Sequence, residues 1–239
     1  MRVLALGAHP DDIEIFMFGA LAAWKGMGAE LTFAVATDGA KGGKLPPDEL
    51  RRARRAEATA AAAHLDVVPR FLDFPDGGLV ADSALIEALD RLIAETDPDL
   101  VVTHAPNDYH GDHRALSDAV RIAVSFRTPV LWADTLRGAG FVPTHYVDIT
   151  AHAALKAAAI REHVSQEPER FVEWAEQLAA FRAGEANGAP ASAAEAYRFE
   201  PRFPFVDIRE LLPAAPPVRP VHDRSKPRAD AAPSSGPRG

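Results

Sequence analysis

The stretch Leu4–Asp12, LALGAHPDD, decides how the chain is read. From Arg2 to Ala8 the residues suit a strand buried on both faces, as in the middle of a parallel sheet. The run ends in Gly7 and Ala8, and His9, Pro10, Asp11 and Asp12 follow at once. Open α/β sheets bind ligands beyond the carboxyl ends of their strands. That edge would here carry one imidazole and two carboxylates. Pro10 fixes its own φ and pushes His9 to an extended conformation, which stiffens the turn.

Outward from this stretch, strand and helix patterns alternate. Ile13–Lys25 predicts one apolar helix. Glu30–Thr37, ELTFAVAT, predicts a second strand, with the loop DGAKGG (Asp38–Gly43) at its carboxyl end. Pro46 and Pro47 before Asp48 and Glu49 mark a helix start that runs to about Leu65. Val67–Phe74 predicts a third strand, closed by the turn PDGG at Pro75–Gly78. Ser83 is placed to cap a helix whose apolar face holds Leu85, Ile86, Leu89, Leu92 and Ile93. A fourth strand falls within Asp97–His104. NDYHGDHR, Asn107–Arg114, leads into a helix to about Phe126. Further strands are expected at Pro129–Asp134 and His145–Ile149, and helices at Ala153–Val164 and Pro168–Arg182. The alternation implies βαβ units with right-handed connections, hence an α/β fold with a mostly parallel sheet. One domain is expected over 1–212. Residues 213–239 are rich in Pro, Ala and Ser, the composition of a disordered tail.

The chain has 239 residues, 47% hydrophobic, enough for a full core. It has no Cys, which excludes disulfides and leaves His, Asp and Glu as metal ligands. A formal charge of -8 argues against nucleic acid or an anionic membrane as partner. No stretch approaches the roughly 20 apolar residues of a membrane span, and the N-terminus lacks a signal-peptide pattern. A cytoplasmic protein is expected. The oligomeric state stays open, a homo-oligomer included.

His9–Asp12, Asp38–Gly43 and His110–His113 all fall at or just beyond strand ends, and a parallel sheet brings such ends to one side. Zinc takes imidazole and carboxylate ligands, and a catalytic site uses three of them. His9, Asp12 and His113 supply that set. Asp11 is then free to act as general base. His110, three residues before His113, can face the same cleft, donate to an oxyanion and protonate a leaving amine. Asp112 can fix a histidine tautomer. Alone, HPDD suits a capped turn and HGDH a polar loop; together at strand ends they point to chemistry. His64, His104, His145 and His152 read as structural or surface residues. The run Arg51, Arg52, Arg54, Arg55 reads as a solvated helix face from which at most one or two side chains reach a cleft. DGAKGG lacks the Walker spacing.

AHPDD with Glu14 following, TDGAKGG, RRAEA, FPDGGL, DYHGDHRALS, GFVPTHYVDIT and KAAAIREHVSQ occur in family order, and with them the chain resembles the LmbE-like, or PIG-L, family of metal-dependent N-acetylglucosaminyl deacetylases. The resemblance covers about Val3 to Gln166. It implies a Rossmann-like three-layer sandwich, a small-molecule N-acetylated amino-sugar substrate, and zinc, with ferrous iron as the alternative. It implies His9, Asp12 and His113 as ligands, Asp11 as base, and His110 as the electrostatic or acid partner with Asp112 as its support. Arg54 and Asp76 would contact the sugar. His163 falls in the family's HxSQ pattern with its role open, and Asp66 stands where many members have Gly. Alternative readings are a deacylase of a non-sugar or antibiotic amide, a non-catalytic Rossmann-like ligand-binding protein, and a non-haem iron oxygenase. GAHPDD lacks the G-x-G-x-x-G of a nucleotide site, and oxygenases that hold iron with a triad such as His9-x-Asp11 and a distant histidine favour β jelly rolls.

Overall fold

The computed structural model describes residues 1–219. Its strands are β1 (Arg2–Gly7), β2 (Glu30–Thr37), β3 (Arg70–Phe74), β4 (Leu100–His104), β5 (Val130–Ala133), β6 (His145–Asp148) and β7 (Ala194–Phe199). They form one seven-stranded sheet in the order β3-β2-β1-β4-β5-β7-β6. The first five are parallel: Val3 and Ala5 pair with Leu31 and Phe33 on one side and with Leu100 and Val102 on the other. The helices are α1 (Asp12–Phe16), α2 (Phe18–Gly26), α3 (Pro47–Ala63), α4 (Ser83–Thr96), α5 (Gly111–Val124), α6 (Ala153–Arg161) and α7 (Glu169–Glu185).

Strand alternation divides the core into two layers. Val3, Ala5, Leu100, Val102 and Leu131 face a cluster that includes Leu21 and Trp24 of α2, Ala61 of α3, Ala159 of α6 and Ala179 of α7. Leu4, Leu6, Val101, Val130 and Trp132 face Leu85 and Leu89 of α4 and Leu116 and Val120 of α5. This is the expected Rossmann-like three-layer α/β sandwich. Among the described residues no helix is long and apolar enough to cross a membrane.

The structure departs from the sequence expectations in places. The helix expected over Ile13–Lys25 is broken at Met17, whose φ of -143° lies outside helical space. Asp82 rather than Ser83 caps α4, accepting from Leu85 N–H at 3.1 Å. β7 has no counterpart in the sequence reading. It runs antiparallel to both β5 and β6, between them. Its pattern is masked by Glu195, a buried charge in mid-strand. That carboxylate accepts from Lys156 Nζ (2.6 Å), Tyr197 Oη (2.6 Å) and the backbone N–H groups of Gly19 (2.9 Å) and Ala20 (2.8 Å). It therefore satisfies the first turn of α2, where negative charge is favoured. Pro213–Arg219, where the tail was expected to begin, is held to the body: Asp148 N–H donates to Ala214 O, and Asn187 Nδ2 donates to Arg219 O. The rest of the expected tail lies outside the described residues.

Gly19 is the point where α2, β7 and the segment after β6 meet. A Cβ there would lie 2.8 Å from Ile149 Cγ2 and 2.9 Å from Glu195 Oε1. Alanine normally gains about 1 kcal/mol over glycine in a helix, but overpacking costs about 1–3 kcal/mol. Gly19→Ala is therefore expected to lower the melting temperature by several degrees. An unchanged or higher value in thermal denaturation would contradict this packing.

Candidate active site

The five parallel strands end on one edge of the sheet, and a cleft of ≈ 380 Å³ opens there. Its walls come from every one of those ends. His9, Asp11 and Asp12 follow β1, Lys41 follows β2 and Asp76 follows β3. Tyr109, His110 and His113 follow β4, and Leu136 follows β5. β1 lies between β2 and β4, where the strand order reverses, the place at which such sheets bind ligands. Residues about a hundred apart in sequence are thereby brought together, as expected.

Asp12 is the junction of the cluster. Its Oδ2 accepts from His9 N–H at 2.7 Å and lies 3.3 Å from His9 Nδ1 and 3.0 Å from His104 Nε2. Its Oδ1 lies 3.3 Å from His113 Nε2. Two overlapping trios, His9/His110/His113 and Asp12/His104/His113, have donor atoms within 4.8 Å of one another, as does His9/Asp76/Asp112. The expected set of His9, Asp12 and His113 spans the first two. Two donors about 2.1 Å from a tetrahedral zinc lie roughly 3.4 Å apart. The 3.3 Å between Asp12 Oδ1 and His113 Nε2 fits that spacing, and His9 Nδ1 lies 3.3 Å from the other oxygen, Oδ2.

The cluster couples a buried carboxylate to protonated imidazoles. Burial opposes the Asp12 charge, but His113, His104 and His9 outweigh it and hold the carboxyl well below its ordinary range. Burial also opposes a charged His9, yet Asp12 and Asp112 raise it to about 10. At His113 burial is again overcome, by Asp12 and Asp108, which raise it to about 9.

The supports differ in part from the sequence reading. Asp112 Oδ2 lies 3.0 Å from His9 Nε2, so its carboxylate orients His9 and not His110. The same carboxylate accepts from Gly77 N–H (2.7 Å) and Leu79 N–H (3.1 Å), tying the β3 loop to the site. His110 caps α5, its Nδ1 accepting from Asp112 N–H at 3.2 Å. That leaves Nε2 to carry the proton of the neutral ring. Burial and then the neighbouring His9 and His113 lower its pKa. Asp108 was not singled out by sequence. It is buried, accepts from His110 N–H at 2.9 Å, and sits 3.4 Å from His113 Nδ1. Its one signal is its place in the polar run before HGDH. His104, expected to be structural or on the surface, is buried and stacks on the His113 ring at 3.7 Å and 13°.

Asp11 sits at φ 138°, left-handed backbone that a non-glycine residue adopts at an energetic cost of about 1–3 kcal/mol. Such strain is typical of functional positions. Burial pushes its carboxyl pKa up, opposed chiefly by Arg54, whose Nη2 lies 3.3 Å from Oδ2. Of the arginine run, Arg54 alone turns inward. It donates to Pro10 O and Lys41 O, each at 3.0 Å, and lies 3.5 Å from Asp76. Arg51 goes to Asp38 and Arg55 to Asp73. Asp76 is committed as well, accepting from Lys41 N–H at 2.9 Å. The loop after β2 can lie this close because Gly39, at φ +67°, has no Cβ to strike Pro10. His163 is buried with Glu14, 3.3 Å from its carboxylate.

Known proteins resemble the chain in sequence and in fold. The family model for PIG-L, GlcNAc-PI de-N-acetylase, matches residues 4–124. The diacetylchitobiose deacetylase of Thermococcus kodakarensis is 29% identical over 189 residues, 70% of this chain and 71% of that one. The 1D-myo-inositol 2-acetamido-2-deoxy-alpha-D-glucopyranoside deacetylase of Corynebacterium diphtheriae is 29% identical over 222 residues, 69% of this chain and 76% of that one. In structure, the 4-carboxy-2-hydroxymuconate hydratase of Pseudomonas putida KT2440 superposes with a TM-score of 0.75 at 23% identity, over 84% of this chain and 97% of that one. The last likeness concerns the fold.

A metal needs neutral imidazoles, so it must displace the protons that His9 and His113 hold up to about 10 and about 9 in the metal-free protein. Zinc affinity is therefore expected to rise with pH through the neutral range, by about tenfold per pH unit for each proton displaced. Competition titrations against a chelator at two pH values measure this. An affinity independent of pH, after correction for the chelator, would contradict the assignment.

Proposed function

The chain belongs to the PIG-L family of GlcNAc-PI de-N-acetylases, and from that premise we propose that it is a metal-dependent deacetylase. It hydrolyses the N-acetyl group of an amino-sugar-containing small molecule to acetate and free amine. The observation that carries this reading is the convergence of His9, Asp12 and His113, at ligand spacing, on the cleft of a chain whose relatives deacetylate such sugars.

His9, Asp12 and His113 would hold zinc, and ferrous iron suits the same donors. When bound, the metal supplies a Lewis acid for the acetamide carbonyl and eases ionisation of water. Asp11 takes the proton of the attacking water on its carboxylate. Its raised pKa, caused by burial, makes it a better base than an ordinary aspartate. Arg54 holds Asp11 in place and keeps that pKa from rising too far. His110, neutral and protonated at Nε2, donates a hydrogen bond to the oxygen that gains charge. The sequence reading also made His110 the acid for the leaving amine. Its lowered pKa favours the oxyanion role, so we assign the amine's proton to Asp11, which already carries one. Asp76 and Arg54 line the cleft where the sugar would lie.

Losing one oxyanion donor costs about a hundredfold or more in turnover. His110→Ala should show that loss while retaining metal. Asp11→Asn should lose turnover by at least as much with metal bound, as followed by amine release from an N-acetylated sugar. Wild-type turnover in metal-loaded Asp11→Asn would remove it as base. His113→Ala should lose the metal itself, and full occupancy there would remove it from the ligand set.

A further inference from the structure

His104 has no part in the chemistry above, yet it lies at the heart of the cluster. It ends β4, fully buried, with one ring face on His113 at 3.7 Å and the Phe16 ring set T-shaped to it at 5.3 Å. Its Nε2 lies 3.0 Å from Asp12 Oδ2 and 3.1 Å from Ala8 N. One nitrogen cannot donate to the first and accept from the second at once. If its lone pair took the Ala8 N–H, it would face the lone pairs of an ionised carboxylate. The proton would then sit on Nδ1, which has no partner among the described residues. With the proton on Nε2, the carboxylate accepts a charge-assisted bond, and Nδ1 is an orphaned acceptor. Either tautomer leaves one buried N–H unpaired, so the stronger bond decides: the proton is on Nε2.

We propose that His104 is a positioning residue for the metal site, acting through Asp12. Its Nε2–H and the His9 backbone N–H both bind Asp12 Oδ2. Held at Oδ2 by these two donors, Asp12 keeps Oδ1, 3.3 Å from His113 Nε2, as the oxygen that would be offered to a cation. Its ring face meanwhile lies stacked on His113. With its proton on Nε2, the nitrogen that faces the site, His104 has no lone pair there to offer a metal.

This rests on the metal-binding reading of the same site, and the test separates the two. Zinc dissociation constants are measured on the purified full chain by chelator competition, beside melting temperatures. Glutamine places an amide N–H near the position of Nε2–H. Asparagine places it near Nδ1, and phenylalanine keeps only the ring. His104→Phe and His104→Asn are expected to bind zinc about 10–100-fold more weakly, and His104→Gln within a few-fold of wild type. Asn serves where Phe fails to fold. If Phe binds like wild type, or Gln binds as weakly as Asn, the positioning role is overturned. His113→Ala is the control: if it too binds zinc like wild type, the ligand assignment fails instead.

Discussion

Asp12 is buried among three imidazoles, and an ionised carboxylate in that place is stable only while protons or a metal cation answer its charge. A lone buried charge costs several kcal/mol. Here His9, His104 and His113 each approach within 3.3 Å. The same arrangement suits the cluster to exchange protons for a metal cation under the proposed function. The groups around it follow from this demand: Asp112 orients His9, Asp108 stands by His113, and Arg54 balances Asp11.

The scaffold delivers these groups because five parallel strands end on one edge and the winding reverses beside β1. The antiparallel addition of β7 and β6 does different work. Through Glu195 it ties the far half of the sheet to the first turn of α2, close behind the HPDD turn. A hydratase shares this fold, so the scaffold does not dictate the reaction. The side chains at the strand ends do.

Much of this was legible in the sequence. β1 reads plainly because a central parallel strand is apolar on both faces. HPDD stands out because charge follows almost directly on such a strand, and HGDH because two histidines and an aspartate fall together a short loop beyond β4. What stayed hidden depended on tertiary partners. β7 carries a buried Glu195 that only the Lys156, Tyr197 and α2 contacts make tolerable. His104 looks like any strand-ending histidine until the sheet sets it against Asp12. Arg54 is indistinguishable by type from its three neighbours, and only the facing of α3 selects it. The carboxylate of Asp112 turned out to orient His9, a partner 103 positions away that the local HGDH spacing does not reveal.

The most direct test is to follow acetate and free amine released from a panel of N-acetylated amino sugars by the purified full chain, zinc-loaded, chelator-stripped and reloaded. The account predicts one acetate per amine, loss of release on stripping, and recovery on adding back one zinc or ferrous ion per chain. Release that survives complete removal of the metal would contradict it, and so would a chain that takes up no divalent cation.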